Sequence, residues 1–141
     1  MLSKELKAIT DNLLQQGKMR FFDPVIEKQI VEFEDNNGIA LPTRYREWLL
    51  FSDGGECFLP AGVQFYGIVH KPIIDVNNDD RPDNNFIVIG TLASGDPILI
   101  RRDSEIISIY NQGAGVIEDD EVYDDFFSFL TDLPALLGID E

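Results

Sequence analysis

In the stretch Leu41-Pro42-Thr43-Arg44-Tyr45-Arg46-Glu47-Trp48-Leu49, the residues Tyr45, Trp48 and Leu49, with Ser52 beyond them, fall at i, i+3, i+4 and i+7. That is the spacing of one buried helical face. Leu41-Pro42-Thr43 opens the helix, proline pre-setting its first turn, and Ser52-Asp53-Gly54-Gly55 closes it. Gly54 and Gly55 supply the backbone freedom to leave a helix and enter something else. After Gly55 the texture changes to short runs of β-branched and aromatic residues separated by Gly, Pro, Asn and Asp, the pattern of strands.

On the N-terminal side of this stretch the spacing predicts two more helices. Leu2, Leu6, Ile9 and Leu13 recur at helical intervals over residues 3–16, with Gly17 as a C-terminal glycine. Asp23-Pro24 reads as an N-cap followed by a first-turn proline. Ile26, Ile30 and Phe33 then line one face until Asn36-Asn37-Gly38. On the C-terminal side the expected strands are Gln64–Ile68, Phe86–Gly90, Ile98–Arg102 and Ile106–Tyr110, with Asp103-Ser104-Glu105 as a hairpin turn. Links this short predict antiparallel pairing. Residues 75–85 read as a polar surface loop. Val122, Phe126, Phe129, Leu130 and Leu133 space a last amphipathic helix, which Pro134 is expected to kink or end.

Helices, then strands, then a helix, with no repeat and no linker, predict an α+β fold. The expectation is a single domain over residues 1–141. Its N-terminal helices precede an antiparallel sheet of about 4–6 strands and a C-terminal helix, and the helices pack mainly on one face. The 141 residues suit one domain, and a chain of this size buries roughly two-thirds of its unfolded surface. A hydrophobic content of 44% is a core-building composition.

Against 26 acidic side chains stand 11 basic ones, so the net charge is −15. A phosphate backbone rewards Lys and Arg, which argues against direct nucleic-acid binding. The same charge disfavours an anionic membrane surface. The longest apolar runs fall far short of the roughly 20 residues that span a bilayer, and the first residues do not resemble a signal peptide. Cytoplasmic residence is the expectation. A lone cysteine, Cys57, excludes an internal disulfide.

The charge is uneven. Residues 1–51 carry a net of −1, whereas residues 52–141 carry −14. The densest point is Glu118-Asp119-Asp120-Glu121, followed by Asp124-Asp125. Two readings are compatible: a solvated turn that places carboxylates near a helix N-terminus, and an electrostatic docking face for a basic partner.

Nothing in the pattern makes a catalytic or metal centre, and no cofactor is expected. Asp75-Val76-Asn77-Asn78-Asp79 begins like a calcium loop, but Asp80 stands where glycine is needed and Phe86 where a bidentate glutamate is needed. His70 is the only histidine, too few for a zinc site shared with one cysteine. It reads as a loop or strand-end residue, and Cys57 as a small apolar filler. Gly54-Gly55 and Gly113-Ala114-Gly115 fit neither a P-loop nor a dinucleotide motif. They read as backbone devices, the second a sheet turn or bulge.

Taken together, Ile26-Glu27 and Phe33-Glu34, then Leu41-Pro42-x-x-Tyr45-x-x-Trp48-Leu49, then Ser52-Asp53-Gly54-Gly55 and Tyr66-Gly67 resemble the SUKH superfamily. That superfamily includes bacterial toxin-immunity proteins and fungal cell-wall-synthesis regulators. Ile87-Val88-Ile89-Gly90 with Gly95-Asp96-Pro97-Ile98 is similar to its strand–glycine–strand pattern. Asp125-Phe126-Phe127-Ser128-Phe129-Leu130 with Leu133 is similar to its terminal helix. The resemblance covers residues 20–137. Its signature residues Leu41, Pro42, Tyr45, Trp48, Leu49, Gly54 and Gly55 also have structural explanations and serve mainly as a fold signature.

The resemblance implies a non-enzymatic protein-binding module that neutralises a cognate toxin, often a nuclease with a basic cleft. The expected toxin-facing patch comprises Asp79, Asp80, Asp83, Glu118, Asp119, Asp120 and Glu121. The alternatives are a regulatory or scaffold interaction module without a toxin, and a ligand-binding domain or enzyme. The last would need a pocket joining His70 or Cys57 to carboxylates. The module is expected to be a monomer or weak homodimer.

Overall fold

A computed structural model of the protein describes residues 4–16, 18–58, 63–69, 86–92, 95–101, 104–111 and 113–136. Its helices are α1 (Lys4–Gln16), α2 (Glu27–Asn37), α3 (Thr43–Phe51) and α4 (Phe126–Leu136). Its strands are β1 (Lys18–Arg20), β2 (Gly55–Phe58), β3 (Val63–Phe65), β4 (Phe86–Leu92), β5 (Pro97–Arg101), β6 (Ile107–Asn111) and β7 (Val116–Tyr123). The seven strands form one sheet in the order β1 to β7, and each pair of neighbours is antiparallel.

The α+β class and the order of helices, sheet and helix are as the sequence predicts. The sheet is one strand larger than expected. β1, β2 and β7 escaped the pattern because none is apolar by alternation. β1 is Lys-Met-Arg, β2 begins with glycine, and β7 contains the acidic run.

The alternation of β5 explains the layering. Ile98 and Ile100 join the core cluster, as do Phe65 of β3, Ile87 and Ile89 of β4, and Ile107 and Ile109 of β6. The same cluster takes in Leu6 and Leu13 of α1, Ile30 of α2, Tyr45, Trp48 and Leu49 of α3, and Phe126, Phe129, Leu130 and Leu133 of α4. One face of the sheet therefore carries the helices. Val88 and Leu99, paired in register, are buried outside that cluster. β4 and β5 are thus covered on both faces, which accounts for the unbroken apolar run Ile87-Val88-Ile89.

Trp48 sits at the aromatic centre of the core. Its ring centroid lies 5.6 Å from Phe126, 5.8 Å from Phe65, 5.6 Å from Phe51 and 6.1 Å from Phe21. These are tilted and edge-on approaches, the arrangements that ring quadrupoles favour. The indole nitrogen is buried and has no hydrogen-bond partner among the described residues.

Four local expectations are corrected. α2 starts at Glu27 with Ile26 at its cap, not at Asp23-Pro24. The chain from Asp23 to Val25 is instead strapped to the α3 region, Val25 N–H donating to Leu49 O at 3.1 Å and Asp53 N–H to Asp23 O at 3.3 Å. Ile26 is 61% exposed and leaves the buried face to Ile30. Pro42 is the residue before α3, with ψ 149°, rather than its first helical residue. α4 is not ended by Pro134 but runs to Leu136. Gly17 and the loop 75–85 lie outside the described residues.

Trp48→Ala is expected to cost about 3–5 kcal/mol, the range for emptying a large buried aromatic site. Trp48→Phe should cost clearly less, because no indole hydrogen bond is lost. Urea unfolding followed by circular dichroism checks the ranking.

Candidate partner-binding surface

The Ser52-Asp53-Gly54-Gly55 turn is buried throughout. Ser52 Oγ accepts from Phe22 N–H at 3.0 Å and donates to Gly54 O at 2.6 Å. The Asp53 carboxylate accepts from the backbone N–H of Ile68 at 2.6 Å and of Val69 at 2.8 Å. Gly67 makes that approach feasible, since a Cβ there would stand 2.2 Å from Asp53 O. Gly54 has φ +94°, and a Cβ on it would stand 2.6 Å from Phe65 O. The Tyr45 hydroxyl donates to Tyr66 O at 2.7 Å. Burial, and then the nearby Asp53 charge, push the Tyr45 pKa well above the usual tyrosine value. Asp53 meets backbone donors of the chain after β3, a structural task. Gly67, which stands out in the sequence only as part of Tyr66-Gly67, is the missing half of this contact.

Glu27 and Glu34 of the second helix form another fixed network. Glu34 Oε2 accepts from Leu41 N–H at 2.6 Å, and Oε1 pairs with Arg46 Nη1 at 2.5 Å. Arg46 also pairs with Glu27. Burial pulls the Arg46 pKa down, but its hydrogen bonds to Glu34 and Glu27 outweigh that and the pKa is raised. Glu105, from the β5–β6 turn, accepts from Thr43 N–H at 2.8 Å and Arg44 N–H at 3.2 Å. It supplies the cap that Pro42 cannot, and a carboxylate there is favoured by the α3 dipole. No sequence signal links Glu105 to a helix some 60 residues earlier.

The signature residues are placed together: Leu41 and Pro42 are buried, Tyr45, Trp48 and Leu49 have no exposure, and Gly54 and Gly55 are buried. The acidic patch is not assembled in the same way. Asp79, Asp80 and Asp83 lie outside the described residues, as does His70. Glu118, Asp119, Asp120 and Glu121 belong to β7 and not to a turn before a helix, so that expectation is corrected. Asp125 takes the cap position instead, its carboxylate accepting from Ser128 N–H at 2.7 Å.

The backbone register shows what the acidic run does to the ladder. Ser108 pairs with Val122 and Tyr110 with Ile117, so four residues of β7, 118–121, stand opposite Ile109 alone. The run is a bulge on the last strand of an open sheet, where bulges and charges blunt an otherwise sticky edge. The turn before it is built as expected of Gly113-Ala114-Gly115. Gly115 has φ +70°, its N–H donates to Asn111 O at 2.8 Å, and Ala114 N–H donates to Asn111 Oδ1 at 3.1 Å. Beyond Arg102 the chain has no Lys or Arg, but it has eleven acidic residues. Every formally charged side chain that this part of the sequence contributes is therefore negative.

Between α1, α4 and the end of β7 lies an open groove of about 500 Å³ lined by Glu5, Tyr123, Phe127, Ser128, Thr131 and Asp132. Tyr123 Oη donates to Asp132 Oδ2 at 3.1 Å. Arg44 borders the groove. Its guanidinium lies 4.9 Å over the Phe127 ring and 3.4 Å from both Glu5 and Glu47. Among the described residues no group of three His, Cys, Asp or Glu could hold a metal ion, and no helix is long and apolar enough to cross a membrane.

An α+β scaffold whose buried charges serve its own backbone, and which carries an open acidic edge, is the kind of surface a protein-binding module presents. The chain belongs to the SMI1/KNR4 family (SUKH-1), whose family model matches residues 24–132. Membership is consistent with an immunity or protein-binding module, in a family of non-enzymatic immunity and regulator-type proteins. A search of curated proteins returned no match.

Because the folded pKa of Tyr45 is raised, its contribution to stability is complete below the unfolded value of about 10 and is lost as pH rises above it. Tyr45→Phe loses the bond to Tyr66 O and should be less stable at pH 7 by about 1 kcal/mol. The difference should narrow above pH 10, where only the wild type pays the cost of keeping a tyrosine neutral. Urea midpoints of both proteins from pH 7 to 11 check this; a constant difference would contradict it.

Proposed function

We propose that this protein is an immunity protein that neutralises a cognate polymorphic toxin, in keeping with its family, and that it binds through its acidic β7 edge. The observation that carries the reading is the register of β7, in which Glu118, Asp119, Asp120 and Glu121 stand opposite Ile109 alone, in a chain region whose Asp, Glu, Lys and Arg residues are all acidic. A nuclease cleft that holds phosphate is basic, so an acidic edge complements it. Opposite fields accelerate encounter, and occupation of the cleft excludes nucleic acid. Asp79, Asp80 and Asp83 are proposed as further members of the same face.

The test begins with capture of partners from the source organism at low and high salt. The captured protein is then expressed alone and together with this chain. The expected result is a basic partner, toxic alone, tolerated on co-expression, and released by salt. A variant with Glu118→Gln, Asp119→Asn, Asp120→Asn and Glu121→Gln should bind at least ten-fold more weakly, about 1.4 kcal/mol, mainly through a slower on-rate. Full affinity of that variant, or salt-insensitive binding, would overturn the acidic-edge mechanism. A partner that is harmless alone would overturn the immunity reading.

A further inference from the structure

The groove between α1, α4 and β7 continues from the same strand that carries the acidic run, and its lining has a different chemistry. Its floor is Phe127, only 1% exposed, and its walls are the half-buried Tyr123 ring and the exposed Ser128, Thr131 and Asp132 of α4. Glu5 of α1 closes the other side. Arg44 shows what this wall accommodates, for its guanidinium stacks over Phe127 and pairs with Glu5. Arg44 is matched by Glu5 and Glu47. Asp132, by contrast, has no cationic partner among the described residues and receives only the Tyr123 hydroxyl. A carboxylate has acceptor capacity beyond that one bond.

We propose that this groove is an anchor pocket for a single arginine side chain of the protein partner. The guanidinium pairs with Asp132 on the α4 side and shares the field of Glu5, while its aliphatic stem lies along Tyr123 and Thr131. Arginine fits better than lysine because its flat head can bind a carboxylate through two N–H groups and stack on a ring. Arginine is also the charged residue most often found as an energetic anchor in interfaces. The division of labour is physical. The acidic run of β7 acts over a Debye length and sets the encounter rate, whereas the groove holds one residue at contact distance and sets the dissociation rate. The assignment rests on the proposed basic partner but not on that partner being a toxin.

The test is a titration of the full chain, labelled with nitrogen-15, against three probes: N-acetyl-arginine amide, N-acetyl-citrulline amide and a hexalysine peptide. Citrulline has the shape of arginine without its charge. The arginine probe is expected to give saturable shifts at the amides of Tyr123, Ser128, Thr131 and Asp132, and citrulline none at the same concentration. Asp132→Asn keeps an acceptor for Tyr123 and should weaken arginine binding by about two- to five-fold, the range for a part-exposed ion pair. Equal shifts with citrulline, or unchanged binding by D132N, would overturn the pocket. Hexalysine reports the acidic bulge separately. If it shifts residues 118–121 while arginine leaves the groove silent, the anchor fails and the acidic-edge mechanism stands. If arginine fills the groove while hexalysine leaves 118–121 unmoved, the anchor stands and that mechanism fails.

Discussion

A carboxylate without solvent exposure has to be met by donors, and Asp53 is met by the backbone amides of Ile68 and Val69. That contact ties the end of α3 to the chain leaving β3, and its neighbour Ser52 ties the same turn to Phe22. Three segments far apart in sequence are thereby held at one buried point. The contact needs glycine on both sides, Gly54 for its positive φ and Gly67 because any Cβ would collide with Asp53. Leaving the fully buried Asp53 carboxylate without these donors would cost about 1–3 kcal/mol or more. The turn consequently acts as a fixed joint between the helical layer and the sheet, and the aromatic packing of Trp48 against Phe65 and Phe126 is built around it.

The second constraint is the open sheet. A meander of seven strands ends in two edges, β1 and β7, and an edge invites pairing with other chains. At β7 the ladder is interrupted by four consecutive acidic residues opposite a single partner residue. One feature thus has two physical effects. The bulge disfavours indiscriminate strand addition, and the four carboxylates concentrate negative charge on the last strand. The adjoining groove differs in kind, because its polar groups converge on a recess and can select for shape as well as charge. An interface made of both parts would combine fast encounter with a specific hold.

Much of the fold is legible in the chain. The i, i+3, i+4 spacing of Tyr45, Trp48 and Leu49 identifies a buried helical face, and all three side chains have no exposure. The alternation or run of β-branched residues identifies β4, β5 and β6. Where the pattern fails, the cause is specific. β1 and β7 are edge strands whose residues are charged, so they lack the apolar signal that internal strands must have. Asp23-Pro24 has the composition of a helix start, but Val25 and Asp23 are used by hydrogen bonds to the α3 region, which delays α2 to Glu27. Glu105 as the α3 cap and Arg44 on Phe127 depend on the pairing of distant segments, which no local pattern encodes.

The sequence by itself determined the class of fold, the composition of the core, the sign of the surface charge and the family. These depend on residue type and short-range spacing, which burial and hydrogen-bonding rules convert directly into structure. Only the tertiary structure decided which carboxylates are occupied and which are left to act outward. Asp53, Glu34 and Glu105 look no different in the chain from Asp132, yet three are committed to the backbone and one borders an open groove. The physical reason is that a carboxylate's role is set by the donors that packing brings within about 3 Å of it. Those donors come from elements that the sequence places tens of residues away.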